Sequence, residues 1–93
     1  MWELWVARHA GRVVDRAPRP ERDRLLAALQ HMRADPFRGD VVPLRHQRAT
    51  FRRRVDEWRI FFDVDRGRAR VEVTEVTRRT TRPTENGDGL ASA

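Results

Sequence analysis

The chain has 93 residues, a formal net charge of +6 and no cysteine, which leaves room for one modest core and excludes disulfides and thiolate metal sites. All 20 basic residues are arginine, as codon usage rich in G and C would produce without any functional demand, so their distribution says more than their number. Residues 1–43 carry eight Arg against six acids, whereas residues 45–59 carry six against Asp56 and Glu57, and residues 66–82 carry six against Glu72 and Glu75. An excess in the second half is the footprint of a phosphate-bearing or acidic partner. His9, His31 and His46 lack ligand spacing, so no metal or cofactor is expected. No apolar run approaches the ~18 residues of a membrane span, and the opening WELWVA has no basic n-region or cleavage site, so a cytoplasmic protein without a membrane partner is expected.

Trp2, Leu4 and Val6 alternate with Glu3 and Trp5, which predicts a strand over residues 1–7 and leaves Trp5 needing cover of its own. Ala10, Val13, Val14 and Ala17 fall at i, i+3, i+4 and i+7, one stripe of a short helix that Pro18 and Pro20 break. Pro20 suits the first turn of a second helix, where Glu21 and Asp23 meet its positive end. Leu25, Leu26, Leu29 and Met32 form its expected buried stripe, and Asp35-Pro36 ends it. Residues 37–50 read as a loop with Gly39 and Pro43 around a short apolar piece over 41–44. Three strands follow, over 50–55, 58–65 and 69–76, joined by turns at Asp56-Glu57 and at 65–68, where Gly67 suits a positive φ. The order predicts an α+β fold: an N-terminal strand, a helical hairpin, then a three-stranded antiparallel meander with the helices packed on one face of the sheet. Leu4, Val6, Val13, Leu25, Leu29, Ile60, Phe62 and Val73 are its expected core. Residues 1–82 read as the domain, and residues 83–93, rich in Pro, Gly, Asn, Ser and Thr, as a flexible tail.

The most informative stretch is FRRRVDEWRIFFDV, residues 51–64. Side chains alternate across a strand, so Arg52 and Arg54 share one face, while Trp58, Ile60, Phe62 and Val64 share the core side of the next strand. Arg59 then points away from the core and joins Arg52 and Arg54. Planar guanidinium groups bind phosphate bidentately and stay charged at every accessible pH. Phe61, on the arginine face, is the aromatic placed to stack on a base.

Three blocks, DPFRGDVVPL, FRRRVDEWRIFFDV and VEVTEVTRR, stand in an order and spacing that resemble the RelE/ParE superfamily of toxins from type II toxin–antitoxin modules, over about residues 1–80. For the RelE-like branch the resemblance implies a metal-independent endoribonuclease that cuts mRNA on the ribosome and inhibits translation. It also implies a cognate antitoxin, whose acidic segment would cover Arg52, Arg54 and Arg79. By motif, the family's basic positions fall on Arg52, Arg54, Arg59 and Arg79, while Arg45, Arg48, Arg78 and Phe61 are the expected further RNA contacts. Attack of a ribose 2′-OH on the adjacent phosphate builds charge on the phosphoryl oxygens, which preorganised cations stabilise.

Two departures from the family pattern matter. RelE-like toxins place a tyrosine or histidine beyond the last strand, where this chain reads TTRPTE and has no tyrosine anywhere. Arg53 stands where the family prefers an apolar residue facing the helices, and is expected to snorkel to the sheet edge. Arginine is not deprotonated in proteins, so a general base must come from elsewhere: His46 is the first candidate, Glu57 and Glu85 are others, and catalysis by positioning alone is the alternative. Two further functions stay open: a ParE-like inhibitor of DNA gyrase that cuts nothing, and a non-catalytic basic nucleic-acid-binding module.

Overall fold

The computed structural model describes residues 1–45 and 49–78. In chain order they form β1 (Glu3–Val6), α1 (Arg8–Arg16), α2 (Arg19–Ala34), β2 (Val41–Pro43), β3 (Phe51–Val55), β4 (Trp58–Asp65) and β5 (Arg70–Arg78). The sheet order is β1-β5-β4-β3-β2, antiparallel throughout except that β1 runs parallel to β5. Both helices lie on one face, as the α+β reading expects. The 83–93 tail lies outside the described residues. Among those described, no helix is long and apolar enough to cross a membrane.

Helix α1 starts two residues before its apolar stripe, because Ala7 donates its N–H to Val73 of the sheet and accepts that of Gly11, passing the chain from strand to helix. Its Ala10 and Val14 are buried. In α2 the buried residues are Leu25, Ala28, Leu29 and Met32, the full i, i+3, i+4, i+7 set. Leu26 lies off that stripe and is 46% exposed, a correction to its expected burial. Val6 is also outside the core, at 37% exposure. It sits on the edge strand, and the residue of α1 above it is Gly11, which has no side chain to cover it. The other expected core residues pack together, with Leu4 and Val13 half-buried at the margin. Trp58, Val71 and Val76 complete the inward face of the sheet.

Three local features depart from the sequence reading. The apolar piece expected to be loop is a strand, β2, paired to β3 with Val41 opposite Arg53 and Pro43 opposite Phe51. It is the edge strand and Pro43 is its last residue, a position where a missing N–H is tolerated. The β4–β5 turn puts positive φ on Ala69 instead of Gly67. Its loop spans four residues closed by the Ala69 N–H on Arg66, with Asp65 accepting the Arg68 N–H, so the left-handed position falls at the loop's end. Finally, β5 carries a bulge: Phe61 pairs with Glu75 but Phe62 pairs with Val73, which leaves Thr74 outside the ladder. The bulge reverses the alternation, so Val71 and Val73 before it and Val76 after it all face the helices.

Candidate nucleic-acid interface

Because Trp58, Ile60 and Phe62 turn toward the helices, the alternate residues of β4 turn to the open face of the sheet. Arg52 stands opposite Phe61 and Arg54 opposite Arg59 in the β3–β4 ladder. Three arginines and one aromatic thus share a two-strand strip. Like charges directly opposite each other across a ladder are destabilising, so the Arg54–Arg59 register favours an anion beside it. Among the described residues Arg54 has one counter-charge, the Asp40 carboxylate, 3.6 Å from its Nε. Arg52 and Arg59 have no ion-pair or hydrogen-bond partner among the described residues. Asp63, on the same face, is engaged: its Oδ1 accepts the backbone N–H and the hydroxyl of Thr50 at 2.7 and 2.6 Å.

Arg53 is withdrawn from this strip. It faces the helix side, and its Nη1 donates to the Arg38 carbonyl at 2.7 Å, in the segment that leads into the edge strand β2. Burial pushes its pKa below the usual arginine value, while Asp40 pulls it back up. Gly39 makes room for it: that residue has φ +95°, and a Cβ there would stand 3.0 Å from the Arg53 guanidinium.

Arg78 does not join the patch either. The bulge at Thr74 turns it to the helix side opposite Trp58, where its guanidinium lies 5.8 Å from the indole centroid and 3.7 Å from Glu21. Glu21 also accepts the Trp58 indole N–H at 2.7 Å. The sequence signal was there in the broken phase of Val71, Val73 and Val76. Arg45 is exposed in the segment joining β2 to β3, beyond the Phe51 end of β3 and away from Arg54. Glu57 is exposed in the β3–β4 hairpin loop. His46, Arg48, Arg79 and Glu85 lie outside the described residues. Two contributors escaped the sequence reading. Asp40 holds Arg54, and Arg70 covers Trp5 from 4.0 Å while bridging Glu3 and Glu72 at 3.2 and 3.6 Å.

No protein-family model matches the sequence, and no curated protein matches it significantly. The solved structures do. The chain is similar to an archaeal RelE–RelB complex from Pyrococcus horikoshii, with TM-score 0.74 over 87% of this chain and 98% of that one, at 14% identity. It is equally similar to the isolated E. coli RelE toxin, at 0.74 over 88% of each chain and 15% identity. The chain has the RelE fold. The toxin–antitoxin complex RelBE2 from Mycobacterium tuberculosis agrees, with TM-score 0.73 over 84% of this chain and 98% of that one, at 20% identity. At such identities the RelE likeness carries the backbone, and what this chain does has to be argued from its own side chains.

Proposed function

We propose that this chain is the toxin of a type II toxin–antitoxin pair and acts as a metal-independent endoribonuclease on mRNA at the ribosome, hence in the cytoplasm. The observation that carries the reading is the Arg54–Arg59 register, two arginines opposite each other on the open side of the sheet with Arg52 two residues along the same strand. Such a pair is preorganised for the charge that builds on phosphoryl oxygens during attack by a neighbouring 2′-OH. Phe61, opposite Arg52, is set to stack on a base next to the scissile phosphate. In this reading Arg79 adds a fourth cation and Arg45 and Arg48 bind flanking phosphates. The 2′-OH gives its proton to water or an RNA group as its oxygen bonds to phosphorus, the P–O5′ bond breaks and the leaving 5′-oxygen takes a proton from solvent. Two of the structures with this fold are complexes with antitoxins, which supports an acidic antitoxin segment as the partner that masks the strip.

The absence of tyrosine favours a second reading, gyrase inhibition by a non-cutting toxin. Primer extension on translated mRNA, run beside a supercoiling assay with the same preparation, separates the two. Wild type should cut the message, and Arg59→Ala should cut it about 100-fold more slowly, the effect of removing one transition-state donor. Intact message with blocked supercoiling would overturn the assignment in favour of gyrase. Intact message with active gyrase would leave the non-catalytic binding module.

A further inference from the structure

The open face of the sheet changes sign along β4. Arg59, Phe61, Asp63 and Asp65 alternate with the buried Trp58, Ile60 and Phe62, so all four project to one side. The neighbouring strands follow the same division. Arg52 and Arg54 stand opposite Phe61 and Arg59 at one end, while Glu72 stands opposite Asp63, and Glu3 opposite Arg70, at the other. Glu75, opposite Phe61, lies at the boundary and is itself engaged.

Pairing within the chain leaves both ends charged. Among the described residues the three arginines of the cationic end meet one carboxylate, Asp40. At the acidic end Glu3, Asp63, Asp65 and Glu72 meet two cations. Arg70 is shared between Glu3 and Glu72, at 3.2 and 3.6 Å, and Arg68 approaches Asp65 at 3.9 Å from an exposed turn. Thr50 hydrogen-bonds Asp63 without neutralising it. Three against one and four against two leave formal charges of +2 and −2. Other positive charge is remote from this face: Arg8, Arg12 and Arg16 are exposed on α1, on the side opposite its buried Ala10 and Val14. A helix and the sheet lie between, farther than the Debye length of about 8 Å at physiological ionic strength.

A polyanion laid along β4 meets attraction at Arg59 and repulsion at Asp63 and Asp65, so nucleic acid or an acidic segment suits one end alone. Covering the whole face takes a partner with both signs in the reverse order. We propose that this partner is a second copy of the chain, docked sheet to sheet. A two-fold axis crossing β4 between Phe61 and Asp63 sets the arginine end of each copy over the acidic end of the other, so one surface makes the contact twice. Arg59 and Asp65 are six residues apart on one strand, about 20 Å, which keeps the two ends distinct. Phe61 near the axis and Trp5, 52% exposed on the same face, add apolar area. At about 3.3 Å per residue and about 4.8 Å between strands, the sheet face covers about 450 Å². The pair then buries about 900 Å² in all, the size of a weak, reversible contact. Docked in this way the copies cover Arg52, Arg54 and Arg59, so phosphate ligands and the second copy compete for one face.

The test is sedimentation velocity of the full chain over a range of concentrations, without RNA or antitoxin. Wild type should pass from monomer to dimer with a dissociation constant weaker than about 1 μM, as a contact below standard size allows. R52E/R54E makes the face acidic at both ends and D65R/E72R makes it basic at both ends, so each variant alone should stay monomeric where wild type pairs. Mixed in equal amounts, they should form a one-to-one heterodimer, because both of its contacts again join opposite charges. Both variants should keep a cooperative melt, since the changed side chains lie outside the core, and R52K/R54K, which keeps the charges, should pair like wild type. A wild type that stays monomeric up to about 1 mM overturns the proposal. A dimer that both reversals leave intact also overturns it, since that dimer forms through another surface, and so does a mixture of folded variants that stays monomeric. With no RNA present, the endoribonuclease reading neither gains nor loses by the result.

Discussion

Arg53 and Arg54 are adjacent in sequence and serve opposite ends. Arg54 faces the open side with its charge answered, among the described residues, by Asp40 alone. Arg53 turns inward, is partly desolvated and ties the Arg38–Asp40 segment to β3 through the Arg38 carbonyl. Alternation separates their faces from sequence alone. It does not reveal that Asp40 would stand beside Arg54, because that contact depends on a β2 strand whose three residues are too short to show a period. Gly39 carries the arrangement twice, through its left-handed φ and through the space it leaves for the guanidinium. Gly39→Ala should therefore destabilise the fold by about 1–3 kcal/mol, the usual cost of a side chain forced into a sparsely populated backbone region. Urea denaturation measures it, and a loss under about 0.5 kcal/mol, the range of neutral surface changes, would mean that the segment relaxes freely around Arg53.

Among the elements, those with a long clean period were legible and those defined by their partners were not. The stripes of α1 and α2 and the alternation of β4 could be read directly, because each buries one face against the other layer. The parallel pairing of β1 with β5 leaves no trace in either strand's pattern, since both present the same alternation whichever neighbour they take. The bulge at Thr74 did leave a trace, in valines that fall out of phase, and reading it would have moved Arg78 to the helix side beforehand. Leu26 was misplaced because a run of two leucines looks like one stripe, although only one of them can face the sheet. Leu26 and Leu29 should answer differently to truncation. Leu29→Ala, inside the core, should cost about 2–5 kcal/mol, while Leu26→Ala, half in solvent, should stay within about 0.5 kcal/mol. Equal losses in a denaturant titration would show that Leu26 also packs.

At the scale of the whole molecule, positive charge divides between two faces that the sheet and its helices hold apart. Sequence windows found the excess on β3 and β4 but missed that of α1, because pairing between distant residues decides which charges remain unanswered. An acidic antitoxin segment that masks Arg52, Arg54 and Arg59 would stop the proposed cleavage while leaving Arg8, Arg12 and Arg16 uncovered. Co-expression with the adjacent gene should then restore growth and yield a complex stable at low salt and weakened at high salt, since its contacts are charge-assisted. Replacing Arg52, Arg54 and Arg59 by Glu should abolish that complex without unfolding the chain, because the three side chains lie on the open face and support no part of the core. A complex that survives the charge reversal would place the antitoxin on another surface.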